Sequence, residues 1–456
     1  MRVALLFGGR SGEHEISVMS AGSIFSALLQ GGFDIVPLGI TRDGHWVYLQ
    51  QPEVFFRQGH TEVTQELGPS CYILPDPLRP GIWINGAAKG SIGNGWNEAN
   101  GMNRTNDSIK AHGANAPDKG PGASDLIKTH GADDSNKGHI PNDPSKECVA
   151  NKRARPVCDC TVDHVRMHCG QRTARSGHGS RVDVDVVFPV LHGLFGEDGT
   201  IQGLLDLSGM PYVGPGTLAS AVCMDKDTTK MVLARHGVPY VPSLTVERWM
   251  WREKREAVLE RLLSGISLPV FVKPSGSGSS LGVYKVKDSS NLSMALDNAF
   301  LYDIKVLIEP SQEGCMEVEC AVLGNVEPKA SVAGQILPSR EFYDYEAKYM
   351  DEGTRLIIPA PLSDKLMGKV RKLAVAAFMA TGCSGLARVD FFVNPDTGDV
   401  YVNELNTMPG FTKVSMYPKL WEASGVPYTE LVRNLIDLAL DRKKSTERHV
   451  HRNLEL

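Results

Sequence analysis

Residues 387–411 read ARVDFFVNPDTGDVYVNELNTMPGF, and this stretch decides how the C-terminal half of the chain is interpreted. Polar and apolar residues alternate over 388–393 and again over 400–405, which predicts two strands. Asn394-Pro395-Asp396 and Gly398 predict a turn between them. We therefore expect an antiparallel hairpin at this position.

Four polar side chains of this hairpin can converge at one of its ends; they are Arg388, Asp390, Glu404 and Asn406. Two carboxylates and an amide oxygen are hard oxygen ligands of the kind that suits Mg²⁺, which leaves its other positions for water and phosphate. A hairpin with a solvated polar face accounts for the same pattern. The pattern alone leaves both interpretations open.

The whole chain has the composition of an ordinary globular protein. It has 456 residues, of which 42% are hydrophobic and 22% charged, enough for about two to four domains. The formal net charge of −5 gives no indication of nucleic acid or an anionic membrane as a partner. No apolar segment reaches the roughly 18 residues of a membrane helix. The nine cysteines without an export signal favour a cytoplasmic protein with reduced thiols.

The N-terminal pattern predicts a doubly wound parallel sheet. A strand over 3–7, a glycine turn, a helix over 16–29 and a strand over 33–40 follow one another. The turn GGRSGEHE lacks the spaced dinucleotide fingerprint, so NAD is not indicated. Glu13 would lie near the helix N-terminus, where it could bind a ligand or simply complement the helix dipole.

A polar segment from about residue 87 to residue 180 interrupts this domain. It is dominated by Gly, Asn, Asp, Lys, Ser and His, which predicts a disordered or loosely ordered insertion. Several potential zinc ligands lie near its end: Cys148, Cys158, Cys160, His164, His168 and Cys169. A solvated linker with incidental thiols is the favoured interpretation over an ordered metal site, because paired Cys-x₂-Cys knuckles are missing.

Three later segments carry polar residues that could contact a ligand. The glycine-rich loop KPSGSGSSLGV (273–283) lies between two predicted strands and could fold over phosphates, or be a flexible surface hairpin. Lys226 is expected in the middle of a helix over 218–236, where a lysine is usually a surface residue. Glu309 and Glu317 lie on predicted strands and could accept ribose hydroxyls or face solvent.

Taken in order, several motifs resemble those of the D-alanine–D-alanine ligases, a family of the ATP-grasp superfamily. They are GGRSGEHEIS, VFPVLHGLFGEDGTIQGLLDLSGMPYVG, MDK (224–226), KPSGSGSSLGV, FYDYEAKY, GLARVDFF and NELNTMPGFT. Each motif is weakly or moderately specific, but the ordered set is highly specific and covers the chain apart from the insertion and the tail.

The resemblance implies an α/β fold in three parts. An N-terminal doubly wound parallel-sheet (pre-ATP-grasp) domain over 1–214 would bind substrate. A two-part ATP-grasp module of mixed and antiparallel sheets with flanking helices would follow, with a central subdomain over 215–311 and a C-terminal subdomain over 312–456. The insertion would loop outward, since a long surface insertion costs little closure entropy.

The resemblance also implies an activity. The family joins two D-alanines with ATP through an acyl phosphate, for peptidoglycan precursor synthesis. The implied cofactors are ATP and two Mg²⁺ ions, with Mn²⁺ as a substitute. The implied assembly is a homodimer through the N-terminal domains. A relative that uses D-serine as the second substrate, or a protein in which the insertion serves a metal-responsive or partner-binding role, remains open.

Carried over residue by residue, the family's reactive groups fall into three sets. The metal ligands are Asp390, Glu404 and Asn406. The groups that stabilise the tetrahedral oxyanion are Arg388 and the backbone N–H of Gly410. The hydrogen-bonded set that links the domains and closes the site is Glu13, Ser279 and Tyr349.

The remaining positions bind substrates. The ATP contacts are Lys226, Lys273, Ser280, Glu309, Glu317 and Lys348. Glu13 would bind the ammonium of the first D-alanine, with His192 nearby, and Ser415 and Met416 would face the second. Lys348 and Tyr349 belong to FYDYEAKY, a pattern that favours an amine nucleophile over D-lactate.

Overall fold

Strands and helices follow one another through residues 1–85, 180–337 and 354–446, the parts of the chain that the computed structural model describes. The strands are β1 (Arg2–Gly8), β2 (Asp34–Ile40), β3 (Trp46–Tyr48), β4 (Cys71–Ile73), β5 (Ile82–Ile84), β6 (Ser180–Val182), β7 (Val186–Val190), β8 (Leu244–Glu247), β9 (Val270–Pro274), β10 (Tyr284–Val286), β11 (Lys305–Pro310), β12 (Met316–Gly324), β13 (Lys329–Leu337), β14 (Arg355–Ile357), β15 (Gly385–Val393) and β16 (Val400–Asn406). The helices are α1 (His14–Gln30), α2 (Pro52–Arg57), α3 (Thr200–Leu207), α4 (Thr217–Met224), α5 (Lys226–Arg235), α6 (Arg248–Glu253), α7 (Arg255–Gly265), α8 (Leu292–Ala299), α9 (Asp364–Ala380), α10 (Met416–Ala423) and α11 (Tyr428–Thr446). No helix among these is both long and apolar enough to cross a membrane.

The first sheet has the order β3-β2-β1-β7, and β1 is parallel to both β2 and β7. Both faces of β1 are buried. Leu5 and Phe7 pack in a hydrophobic cluster with α1 and α11, whereas Ala4 and Leu6 pack in a second cluster with α3. Because helices cover the sheet on both sides, the predicted doubly wound arrangement is confirmed.

The turn after β1 requires glycine. Gly8 has a φ of +88°, and a Cβ atom there would lie 2.2 Å from the carbonyl oxygen of Ile40. The Ser17 hydroxyl accepts a hydrogen bond from Gly8 N–H at 2.7 Å and donates one to the Val190 carbonyl. The turn therefore fixes the start of α1, and Glu13 just before it, at the carboxyl end of the parallel strands, where ligands gather in such sheets.

A small antiparallel sheet, β4-β5-β6, completes this region. Ile84 in β5 pairs with Ser180 in β6, so the described chain stops and resumes at neighbouring positions of one sheet. The predicted insertion and its candidate zinc ligands lie outside the described residues, apart from Ser180.

Two antiparallel sheets form the rest of the described chain. The first, β10-β9-β11-β8, packs its inner face against α8. The second, β14-β13-β12-β15-β16, is buried on both faces. Val370 and Phe378 of α9 cover one face, and Leu420 of α10 with Leu431 of α11 cover the other. These are the two sheets that the predicted two-part module requires.

One prediction about a helix is wrong. The expected single helix over 218–236 is broken at Asp225, so Lys226 is the first residue of α5 and does not lie in the middle of a helix. Asp225 is extended and its carboxylate caps Thr228 N–H at 2.8 Å. Lys305 also holds that carboxylate, at 2.9 Å. The break places Lys226 at the sheet edge instead of on an outer helix face.

Candidate active site

A cavity of about 270 Å³ is lined by strands of both antiparallel sheets. Phe271 of β9 and Phe391 of β15 contribute apolar walls, and Lys226, Lys273 and Glu404 contribute charged groups. A concave site that is partly apolar and has a few fixed polar groups is typical of small-molecule binding. The predicted nucleotide contacts that the structure describes therefore lie around one cavity.

The hairpin of residues 387–411 is confirmed and brings its polar residues together. Arg388 pairs with Asn406, and Asp390 pairs with Glu404, across β15 and β16. A bulge follows Asp390, because the next pair is Phe391 with Val402. Asn406 Nδ2 donates a hydrogen bond to Asp390 Oδ2 at 2.9 Å. The metal ligands predicted from the resemblance thus occupy adjacent positions at one end of the hairpin.

The guanidinium of Arg388 is held between two carboxylates. Its Nε and Nη2 atoms lie 2.7 Å from the two oxygens of Asp390, a bidentate geometry that fixes the plane of the group. Nε also lies 3.0 Å from Glu319 Oε2. Glu319 is buried on β12, directly opposite Asp390. The arrangement presents one oriented cation beside the cavity.

Lys226 reaches the cavity from the start of α5. Its Nζ atom donates to the carbonyl of Ser277 at 2.7 Å and lies 3.3 Å from Glu404 Oε2. Its backbone N–H donates to the carbonyl of Ser275 at 3.0 Å. Lys226 thus joins the glycine-rich loop to the metal-ligand end of the hairpin.

Lys273 belongs to a buried group of three charges. Its Nζ atom lies 2.6 Å from one oxygen of Glu309, and Lys230 Nζ lies 2.8 Å from the other. Burial acts to raise the pKa of Glu309, but the charges of Lys273 and Lys230 outweigh it and hold that pKa below its usual value. Burial lowers the pKa of Lys230. Glu309, a predicted ATP contact, lines the cavity and forms ion pairs with both lysines.

The glycine-rich loop is tied to the N-terminal region. The Ser279 hydroxyl donates a hydrogen bond to the carboxylate of Glu13, which is buried. Ser279 and Ser280 have φ values of +47° and +58°, unusual for residues other than glycine and frequent at functional sites. Two members of the predicted domain-linking set therefore touch. Its third member, Tyr349, lies outside the described residues, as does Lys348.

The loop after β7 contacts the segment after β16. His192 is buried and its Nδ1 donates to the carbonyl of Met408 at 2.9 Å. Burial lowers its pKa, which keeps the ring neutral near pH 7. Glu197 accepts hydrogen bonds from Gly193 N–H at 2.8 Å and Met408 N–H at 3.0 Å. Burial and the charge of Glu13 raise the pKa of Glu197 to about 8.

The predicted residues for the second substrate lie just beyond. A Cβ atom on Gly410 would lie 2.8 Å from Ser415 Oγ, so a side chain there would displace the Ser415 hydroxyl. Ser415 Oγ accepts a hydrogen bond from Thr412 N–H at 3.0 Å. Met416 is buried in the core beside Gly334. Substrate contacts of Ser415 and Met416 stay predictions.

Sequence reasoning passed over three residues of this site. Lys230 lies one helical turn after Lys226 on α5, and that spacing places both on one face. Glu319 follows Glu317 by two positions on β12, so both point to the same side of the strand. Glu197 lies in the polar loop after β7, and no local pattern indicates that Met408 is its partner. Each acts through contacts that only the folded chain creates.

Comparison with known proteins agrees with this geometry. Two family models match, D-ala D-ala ligase N-terminus over residues 2–215 and D-ala D-ala ligase C-terminus over residues 232–437. A D-alanine–D-alanine ligase of Acetivibrio thermocellus is 41% identical over 441 residues, covering 97% of this chain and 96% of that protein.

Solved structures with the same architecture include two from related bacterial ligases. The D-alanine–D-alanine ligase of Coxiella burnetii is 31% identical, with a TM-score of 0.67, and the match covers 98% of this chain and 96% of that one. The VanG D-Ala:D-Ser ligase of Enterococcus faecalis is 27% identical, with a TM-score of 0.67, and the match covers 96% and 99%.

Two antiparallel sheets that enclose a charged cavity, behind a doubly wound N-terminal sheet, define an ATP-grasp ligase, and the predicted fold class is confirmed. Within that class, the chain belongs to the D-alanine–D-alanine ligase family, as the resemblance implied. It is an ATP-dependent ligase.

Proposed function

We propose that this protein joins two D-alanine molecules to D-alanyl-D-alanine at the expense of ATP, for peptidoglycan precursor synthesis, through an acyl phosphate. Phosphate would pass from ATP to the carboxylate of the first D-alanine. The neutral amine of the second would attack the acyl phosphate, and the tetrahedral intermediate would release inorganic phosphate. The observation that carries the proposal is the oriented Arg388 guanidinium beside a lysine-lined cavity in a member of this family.

The proposed oxyanion groups are Arg388 and the N–H of Gly410. A fixed cation in a partly buried site stabilises developing negative charge far better than a solvated one. Arg388 fits this role because Asp390 and Glu319 fix its orientation before substrate arrives. Gly410 fits it because its peptide lies two residues beyond Met408, in a segment held by several hydrogen bonds.

The proposed metal ligands are Asp390, Glu404 and Asn406, for two Mg²⁺ ions. Their oxygen atoms suit Mg²⁺ or Mn²⁺ in chemistry. Among the described residues, no group of three His, Cys, Asp or Glu side chains could hold a metal ion by itself, so phosphate and water would complete the coordination. Bound Mg²⁺ would neutralise phosphate charge and align the transferred group.

The proposed ATP contacts are lysines that bind phosphates and residues that contact the rest of the nucleotide. Lys226 and Lys273 would bind phosphates, and Lys348 would join them from beyond the described residues. Ser280, in the glycine-rich loop, would cover the phosphates. Glu309 and Glu317 would meet the adenine edge and the ribose. The support for these roles is that the described members of the set all line the cavity.

The proposed amino-acid sites draw on residues from both ends of the chain. Glu13 would bind the ammonium of the first D-alanine, and its bond to Ser279 would close the site with Tyr349. His192 would lie near this substrate. Ser415 and Met416 would face the second one.

The proposed organisation follows the three larger sheets. The N-terminal domain would span 1–214, the central subdomain 215–311 and the C-terminal subdomain 312–456. One hydrophobic cluster lies within residues 4–212 and another within residues 246–308, which supports the first two units. Two further clusters join residues of the last unit to the first and central units. We further propose a homodimer through the N-terminal domains and a cytoplasmic location, where ATP is available. Size-exclusion chromatography with light scattering tests the assembly.

The decisive experiment measures phosphate release from ATP with D-alanine and Mg²⁺, together with product masses. D-alanyl-D-alanine with one phosphate per dipeptide is expected. Phosphate release that does not increase on addition of D-alanine would contradict the proposal. A mixture of D-alanine and D-serine distinguishes the second candidate, because a mixed dipeptide as the main product would assign the chain to the D-serine-using relatives.

A further inference from the structure

The segment of residues 408–411, which we call the oxyanion loop, is held at Met408 by the loop after β7. Glu197 Oε1 accepts a hydrogen bond from Met408 N–H at 3.0 Å. His192 Nδ1 donates one to the Met408 carbonyl at 2.9 Å. Both sides of this residue are therefore fixed by side chains only five positions apart in sequence.

The other end of the oxyanion loop is held in the same way. Ser20 Oγ of α1 accepts a hydrogen bond from Phe411 N–H at 3.1 Å. Tyr428 Oη donates one to the Phe411 carbonyl at 2.8 Å. Within the described chain, no residue accepts a hydrogen bond from Gly410 N–H. The loop is thus pinned on both sides of the one N–H that the reaction would use.

Glu197 has a second contact that points to the first-substrate site. Its Oε2 accepts a hydrogen bond from Gly193 N–H at 2.8 Å. A Cβ atom on Gly193 would lie 2.7 Å from Glu13 Oε2, so the main chain there touches the carboxylate proposed to bind the first D-alanine. One carboxylate therefore connects the ammonium site to the oxyanion loop.

We infer that Glu197 is a positioning residue for ligation: it fixes the oxyanion loop relative to Glu13, so that Gly410 N–H meets the tetrahedral intermediate. This inference rests on the proposed function. A carboxylate suits the task because each of its oxygens accepts one backbone N–H, and those two N–H groups belong to distant segments of the chain. Misplacing a donor by even 1 Å costs about a hundredfold in rate.

The test compares Glu197→Gln with Asp198→Asn. Glutamine has one acceptor oxygen and presents an NH₂ group to the second N–H, so one of the two bonds is lost. Asp198 is a matched control, because it accepts from Phe195 N–H and Thr200 N–H inside the same loop and does not contact Met408. Both variants are assayed at about pH 9, where the wild-type carboxylate is ionised.

We expect Glu197→Gln to lower kcat for the dipeptide about 10- to 100-fold, with the KM for ATP unchanged, and Asp198→Asn to lose less than about threefold. Equal kcat values in the two variants would overturn the inference. A raised KM for D-alanine at unchanged kcat would also overturn it, because Glu197 would then be a substrate ligand.

A further variant keeps the test decisive if Glu197→Gln does not fold. Glu197→Asp retains two acceptor oxygens on a shorter stem, and we expect kcat between those of the wild type and Glu197→Gln. Wild-type kcat in Glu197→Asp would count against the inference. If the wild-type protein makes no dipeptide, the proposed function fails instead, so the two failures are distinguishable.

Discussion

Arg388 is the residue on which the charge balance of the site depends. Removing it would leave Glu319 and Asp390 facing each other across β12 and β15 without a cation. We expect Arg388→Ala to destabilise the fold by about 3 kcal/mol and to lower ligation more than about 100-fold. Urea denaturation and a dipeptide assay measure the two effects.

The double variant Arg388→Ala/Glu319→Gln separates these effects. Neutralising Glu319 removes the repulsion, so we expect most of the lost stability to return. Ligation should stay low, since the oxyanion would still lack its cation. Recovery of activity in the double variant would show that Arg388 serves only to neutralise its neighbours.

Glu197 should make stability depend on pH. Its pKa is raised to about 8 in the folded protein, so its protonated form favours folding. That contribution is complete below the unfolded pKa of about 4.3 and is lost as the pH rises through about 8. Between about pH 5 and pH 8, the free energy of unfolding should fall by about 3.5 kcal/mol more in the wild type than in Glu197→Gln.

The charged groups that face Glu197 are present in both proteins. They include Glu13, which raises its pKa, and Arg388, which lowers it. Denaturant titrations at four pH values measure the difference. Parallel stability curves for the two proteins would contradict the prediction.

The alternation of the hairpin was enough to predict the convergence of Arg388 with Asp390 and Asn406, because residues two apart on a strand share a face. Strand alternation could not predict the contact of Glu197 with Met408. Its partner Met408 is 211 positions away, and no local periodicity records a contact between two loops of different sheets.

At the scale of the element, the glycine-rich loop depends on Gly282. Its φ is +75°, and a Cβ atom there would lie 2.5 Å from the Tyr302 ring and 2.9 Å from Pro274. Gly398 is a matched control, with the same φ of +75° and nothing within 4 Å of its Cβ position. Alanine at either position costs about 1 kcal/mol of backbone strain.

We expect Gly282→Ala alone to impair the binding of ATP, because the added methyl group must displace the loop that carries Ser279 and Ser280. The KM for ATP should rise about tenfold in Gly282→Ala and stay unchanged in Gly398→Ala. Equal ATP affinity in the two variants would mean that the loop does not contact the nucleotide.

Helix boundaries show where element prediction fails. Apolar spacing continues through Asp225, so periodicity alone predicts one helix over 218–236. The break arises because Asp225 is held by Lys305 and Ser275, which are distant in sequence.

At the scale of the whole molecule, sequence patterns predicted the parallel sheet and the β15–β16 hairpin but not how the other strands pair. The parallel order β3-β2-β1-β7 follows from short strand–helix–strand units. The order β14-β13-β12-β15-β16 brings β12 beside β15 across the segment that includes α9. The pairing of β12 with β15 could be expected only from the ordered motifs of a known family, because local composition does not indicate pairings between strands so far apart in sequence.

The last prediction concerns the segment between β5 and β6. Ile84 pairs with Ser180, so deletion of residues 87–179 would leave Ile84-Asn85-Gly86-Ser180. Asn-Gly is the preferred two-residue hairpin turn, and it would close this antiparallel pair in register. A shorter connection also lowers the entropy cost of closing the loop, by about 3 kcal/mol in the ideal-chain estimate. We expect the shortened protein to fold, to unfold at a higher urea concentration and to keep ligation within about threefold. As a control, a Gly/Ser linker of equal length replaces the segment, and the stability of this variant should equal that of the wild type. Loss of dipeptide synthesis in both variants would show that the segment itself serves the reaction.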